Sequence, residues 1–356
     1  MKCNSVFTII VAATAFSATT TLAGTDRVFI PEGSADAVRI VDATSGAVLG
    51  RIDDIQAVHG LAGHRNSPYL IAGSYMESDR EALADMATPS DVSEDEHVAH
   101  HAKPKEVLGP ADAGVSLLSV IDAASGKLLR KIEVPGAVHH VAISPDGRFA
   151  VSTHPNGDGI SVVDLETFEL SAWVPTGAMP NYVGFGTDPS VAYVSNAGNG
   201  TVSEVDLEIG IVRRNMIAGE APEHLAISPD KGSMFVADAD IGRVVEIELA
   251  TGRESRTFEI GGEIHGLALS EDQTHLIVAA KETDRLVSID LDSGNIISGA
   301  LSPAPYHLTT IPGTGTVFVS SRDEPKVWIV DADTLKATKE FPIEGEGHQM
   351  VAMGTE

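Results

Sequence analysis

Residues 191–206 read VAYVSNAGNGTVSEVD. Two apolar, β-branched runs flank a turn built from Asn, Ala and Gly, and an acid ends the second run, which is the pattern of a tight antiparallel hairpin. The acid-terminated run recurs as RIVD at Asp42, SVID at Asp122, SVVD at Asp164, VEIE at Glu248, VSID at Asp290 and WIVD at Asp331. With Asp206 included, the successive intervals are 80, 42, 42, 42, 42 and 41 residues. After each acid comes a short polar turn such as ATSG, AASG or LDSG and then a further strand. Upstream lies a fourth strand typified by HLAISPD. Four short strands per forty-odd residues, without helical periodicity, predict a β-propeller blade.

The opening strand of the unit, A, occurs as HGLAG, HHVAIS, NYVGFG, EHLAIS, HGLALS, YHLTTI and HQMVAM, seven times in all. The chain supplies a B–C–D set first (RVFIPE, AVRIVD, AVLGRI) and ends on a lone A strand, HQMVAM. The expected fold is therefore all-β, a seven-bladed β-propeller closed by N-terminal B–C–D strands and the C-terminal A strand, a closure that removes the open sheet edge. Residues 24–356 are expected to form this single domain. Residues 1–23 read as a signal peptide, with Lys2, an apolar run from Val6 to Phe16 and small residues up to Ala23, so a periplasmic location is expected. No later segment approaches the length of a membrane-spanning helix, and membrane insertion is not expected.

The repeat resembles that of the YVTN-type seven-bladed propellers, carried here by YVSNAGNGTVSEVD with HLAISPD upstream. This resemblance covers essentially all of residues 24–356 and speaks for fold more than for function.

The sole cysteine, Cys3, lies in the leader, so disulfides and thiolate metal sites are excluded from the remainder. The formal charge of −27 repels nucleic acid and favours cations. Aligning the A strands places His59, His139, Asn181, Glu223, His265, Tyr306 and His348 in one column and Gly60, His140, Tyr182, His224, Gly266, His307 and Gln349 in the next, so seven of the thirteen histidines share two adjacent columns. Strand alternation predicts that one column faces the central channel while the other packs between blades. The first, with His59, His139, His265 and His348, is the expected channel column.

The long first interval reflects an insertion at 75–112 between strands B and C of the blade that carries His59. It contains SEDEHVAHHAKPKE, residues 93–106, with His97, His100 and His101. Because strands alternate in direction, a B–C connection returns to the mouth where strand A begins, so this histidine-rich loop is expected over the histidine column. A loop of this length inside a compact domain is a functional or a linker segment. His97, His100 and His101, with His59, His139, His265 and His348, are the candidate ligands, and imidazole with carboxylate and no thiolate suits Zn2+. His154 lies on the same face, whereas His64 and His275 belong to the opposite one.

A cysteine-free, leader-bearing propeller with HVAHH and channel-mouth histidines resembles the AztD-type zinc metallochaperones. That resemblance implies delivery of zinc to a periplasmic solute-binding protein of a zinc ABC transporter. The alternative is a tetrapyrrole- or other redox-cofactor-binding propeller related to the d1-haem proteins, without covalent haem, since CxxCH is absent. A calcium-dependent lactonase would need an all-oxygen cage, and the column offers only Asn181 and Glu223 of that kind. With no GxSxG, HExxH or P-loop, the chain is expected not to be an enzyme.

Overall fold

The computed structural model describes residues 27–78, 108–110, 113–228, 230 and 232–354. They form seven four-stranded antiparallel sheets, and in six of them the chain runs outward from the innermost strand A to the outer strand D. Blade 1 takes strands B to D from Arg27–Glu32, Ala37–Asp42 and Val48–Ile52, and its innermost strand from Val351–Met353. The closure seen in the sequence is thus present, with Phe29 opposite Val351 and Val28 opposite Ala352. Blades 2 to 7 open on Val58–Gly63, Val141–Ile143, Pro180–Phe185, Pro222–Ser228, Leu267–Leu269 and Pro305–Ile311.

Alternation along each strand sends successive side chains to the two neighbouring blades. In Arg27–Glu32, Val28 and Ile30 pack with Ile311, Phe318 and Ile329 of blade 7, while Phe29 packs with Leu61, Leu70 and Ile121 of blade 2. The acids that set the period hold the C–D turns. Asp42 Oδ1 accepts the Ser45 amide at 2.6 Å, Asp122 the Ser125 amide at 2.8 Å and Asp290 the Ser293 amide at 2.7 Å. Gly126, at φ 71°, shows why Gly ends the turn, since a Cβ is disfavoured there. These acids therefore stand in the sequence for turn chemistry.

The insertion leaves strand B of blade 2, Tyr69–Ser74, and returns at strand C, Val115–Asp122. Its two ends pair through Ser78 and Val115, whose amides and carbonyls exchange bonds of 2.9 and 3.0 Å. Residues 79–107, with His97, His100 and His101, lie outside the described residues, as does the expected leader at 1–23. Among the described residues no helix is long and apolar enough to cross a membrane.

The closing blade is expected to control global stability. Phe29→Ala, at a fully buried site beside the closing strand, should lower the unfolding free energy by about 3–5 kcal/mol. Denaturant titration followed by Trp fluorescence measures this, and a loss below about 1 kcal/mol would show that the closure does not limit unfolding.

Candidate metal centre

The inner strands do not begin as regular ladders. Pairing of strands A and B is offset between Val58 and Gly60, Pro180 and Val183, Pro222 and Leu225, and Pro305 and Leu308. In the other blades the innermost strand starts only after the histidines, at Val141, Leu267 and Val351. Strand B supplies hydroxyls to amides left out of the ladder at these irregular starts: Thr153 Oγ1 accepts from His140 N at 3.0 Å, Ser195 Oγ from Tyr182 N at 3.0 Å and Ser320 Oγ from His307 N at 3.2 Å. A bulge of this kind breaks the two-residue alternation of a strand. Both histidine columns consequently turn toward the propeller axis, against the expectation that only one would.

Seven imidazoles converge there. Ring centroids are 3.4 Å apart for His59 and His348, 3.8 Å for His307 and His348, 4.2 Å for His139 and His140, 4.5 Å for His224 and His265, and 4.6 Å for His224 and His307. Three triads arise, His59–His139–His348, His140–His224–His307 and His265–His307–His348, each with ligand nitrogens within 4.8 Å of one another. A tetrahedral zinc with Zn–N bonds of about 2.0–2.1 Å requires nitrogens about 3.3 Å apart. At up to 4.8 Å, the nitrogens of each triad stand farther apart than that in the absence of an ion, and binding would draw them together.

The hydrogen bonds of the rings favour ligation. His59 Nδ1 lies 2.9 Å from the His139 carbonyl, His140 Nδ1 2.8 Å and His139 Nδ1 3.2 Å from the Asn181 carbonyl, and His265 Nδ1 2.8 Å from Glu223 Oε2. An oxygen acceptor at Nδ1 places the proton there and leaves the lone pair on Nε2, the arrangement by which outer partners orient metal-binding histidines. Nε2 of His140, His224, His265 and His307, and both ring nitrogens of His348, are buried without a protein partner. Leaving a buried polar atom unpaired costs about 1–3 kcal/mol, and a cation at these nitrogens would offset it. The donors are all imidazole, which fits Zn2+, Cu2+ or Ni2+ rather than Ca2+ or Mg2+.

Burial holds these rings neutral. It pushes His59 and His139 down to about 4, with Arg322 adding to the effect on His59 and His59 adding to it on His139. His140, His224, His265, His307 and His348 are driven well below the usual histidine range, first by burial and then by neighbouring charges. Burial raises the Glu223 carboxyl. Tyr75, at the root of the insertion, stacks on His59 at 4.7 Å, and Tyr306 stacks on His265 at 4.0 Å with the Arg322 guanidinium 5.3 Å above its outer face.

Of the expected ligands, the structure brings His59, His139 and His348 together and sets His265 in a second triad with His348. His140, His224 and His307 belong to the cluster as well. Their column was legible in the sequence, but the irregular strand starts that turn it inward were not, and the recurring strand-B hydroxyls at Thr153, Ser195 and Ser320 are the signal that could have revealed them. His154 stays apart. It is buried against Trp173, with Nδ1 near the Gly136 and Ala137 carbonyls and Nε2 3.1 Å from Ser152 Oγ. Acids of the B–C turns hold backbone, with Asp158 accepting the Met179 amide and Asp284 the Ala304 amide.

No family model matches the chain, and no curated protein matches it. Solved structures do share the fold. A putative 6-phosphogluconolactonase from Bacteroides fragilis superposes with a TM-score of 0.70 at 12% identity, covering 94% of this chain and 99% of that one. The periplasmic gluconolactonase of Pseudomonas aeruginosa gives 0.67 at 16%, covering 92% and 98%. The dihydro-heme d1 dehydrogenase NirN, in complex with DHE, gives 0.61 at 12%, covering 89% of this chain and 64% of that one. The expectation that the chain is not an enzyme is corrected by these matches: the fold is shared with proteins named as lactonases and a dehydrogenase, and missing sequence motifs do not set catalysis aside. At these identities the likeness establishes the propeller alone.

The buried histidines make the metal-free protein acid-sensitive. Unfolded histidine titrates near 6.5, whereas His59, His139 and His154 do so at about 4 in the folded chain. Between these values the unfolded state binds more protons, so stability is fully present above about pH 6.5 and falls as pH drops toward 4, by up to about 1.4 kcal/mol per pH unit for each such residue. Urea midpoints in a chelator should fall steeply from pH 7 to pH 5, above the range where ordinary carboxylates titrate. A midpoint unchanged across that window would contradict the neutral cluster.

Proposed function

We propose that this protein is a periplasmic zinc metallochaperone that passes zinc to the solute-binding protein of a zinc ABC transporter. The observation that carries this reading is the set of buried, unpartnered imidazole nitrogens at one end of the propeller axis, beside the root of the insertion that holds His97, His100 and His101. A cargo site needs donors that bind firmly and a route for ligand exchange. The ring offers the first, and the insertion histidines would complete the mouth triad and be displaced one at a time by an acceptor's ligands. The leader at 1–23 supports export, and the acidic surface supports attraction of cations.

The second reading, a tetrapyrrole or other redox cofactor on the axis, draws on the fold shared with NirN. Against it, the imidazoles pack ring to ring, and the cavity on the axis beneath them, lined by Tyr182, His224, His307 and Met350, holds about 290 Å3, at the small end of small-molecule sites.

Elemental analysis of protein exported and purified without added metal should find zinc in a colourless sample, and a stoichiometric Soret band without zinc would favour the tetrapyrrole. Replacing His97, His100 and His101 by Ala should weaken zinc binding at least about tenfold, the scale of losing a ligand's support, while the melting temperature of the metal-free protein stays the same. Zinc transfer to the cognate solute-binding protein should speed up with acceptor concentration. Transfer no faster than unaided release would overturn the chaperone reading.

A further inference from the structure

The three triads overlap as links of a chain. His59–His139–His348 lies at the mouth, where His59 and His139 are partly exposed, and His140–His224–His307 lies deeper and is buried. These two have no member in common. The third, His265–His307–His348, shares one residue with each. A neutral imidazole has one lone-pair nitrogen while the other carries hydrogen, so each ring serves one ion at a time. An ion in the middle triad therefore excludes full ligation at both ends, whereas the two end triads can be filled together.

We propose that the middle triad is a waypoint through which zinc moves along the axis, with His265 as the transfer residue, so that the inner ion leaves only when the mouth triad is empty. This rests on the zinc-carrying reading above. From the inner triad the ion keeps His307 while His140 and His224 give way to His265 and His348. It then keeps His348 while His265 and His307 give way to His59 and His139. At each exchange at least one Zn–N bond persists, and since every ligand is neutral no proton is gained or lost. A direct jump between the end triads would break all three bonds first.

The residues at the waypoint fit this use. His348 is pinned by no hydrogen bond at either nitrogen, and its ring lies 3.4 Å from His59 and 3.8 Å from His307. His265 is fixed in one tautomer by Glu223, 2.8 Å from Nδ1, and its buried Nε2 has no partner. Its ring is 4.5 Å from His224 and 4.9 Å from His307. On the side away from the mouth, His224 and His307 line a cavity whose other walls include Tyr182, Leu267, Leu308, Thr309 and Met350, and beside it the Gln349 amide donates to the Val141 carbonyl at 2.9 Å and accepts from Val141 N and Leu61 N. Beyond His224 and His307 the described lining of that cavity holds no further histidine or carboxylate, so a path from ligand to ligand continues only toward the mouth.

The test follows isotopic zinc on the intact protein. Protein filled with 67Zn is mixed either with a chelator or with excess natural-abundance zinc, and the 67Zn retained after desalting is measured by mass spectrometry. The waypoint predicts two phases of loss in chelator and retention of the slower fraction about tenfold or more longer in excess zinc, because a filled mouth holds His348. His265→Ala should lengthen the slow phase relative to the fast one about tenfold, and Glu223→Gln should lengthen it less. If the slow fraction leaves at the same rate in chelator and in excess zinc, or the ratio of phases is unchanged in His265→Ala, the waypoint is wrong while zinc carriage stands. Absence of zinc uptake by the parent protein would overturn both.

Discussion

Everything in this structure is arranged around a set of imidazoles whose nitrogens have lost water and gained no protein partner. Ring closure forces the starts of seven inner strands against one axis, and histidine occupies that position or the next on six of the seven blades. Each unpaired buried nitrogen opposes folding, so the ring must be held by something stronger. That support comes from the closed order of blades, from interblade packing such as Phe29 against Leu61 and Val28 against Phe318, and from oxygen acceptors that fix Nδ1 on His59, His139, His140 and His265.

The geometry of the site follows from a local failure of regular pairing. A strand in ideal register would have sent His139 and His140 to opposite faces. His139 and His140 precede their strand, which begins at Val141, and other inner strands start with offsets, so consecutive side chains share the axis while Thr153, Ser195 and Ser320 receive amides left out of the ladder. His59, His224 and His307 stand within strands, and His139, His140, His265 and His348 within three residues of the start of one, a better support for a defined ligand set than long loops. At the mouth Tyr75 stacks on His59, while Tyr306 stacks on the buried His265, and Arg322 over Tyr306 adds a positive charge that disfavours protonated histidine. The same fold elsewhere carries proteins named as lactonases and a dehydrogenase, so the chemistry belongs to these side chains and not to the propeller.

Blade number, strand order and closure were legible in the sequence because they rest on short-range rules: alternation of apolar residues, and a turn in which an acid such as Asp122 accepts the Ser125 amide. The alignment of histidines into two columns was legible for the same reason. What escaped was the direction in which the second column points, since His224 and His307 turn inward at offsets in their strands and His140 ahead of a strand that begins only at Val141, with the hydroxyls that receive the His140 and His307 amides a strand away. Hydrogen-bond pairing of Nδ1 also escaped, because the Asn181 carbonyl that meets both His139 and His140 comes from the next blade. His97, His100 and His101 were singled out by composition and fall outside the described residues. The reading of missing motifs as absence of catalysis failed because an active site is a spatial arrangement that need not leave a local pattern.

The central claim is that the axial imidazoles ligate zinc, and X-ray absorption at the zinc K-edge of the stoichiometric complex tests it most directly. The account predicts a first shell of nitrogen or oxygen only, at about 2.0–2.1 Å, with the outer-shell scattering of about three imidazoles for each ion and the same spectrum after His154→Gln. A first shell without imidazole scattering, or one dominated by carboxylate and water, would contradict it.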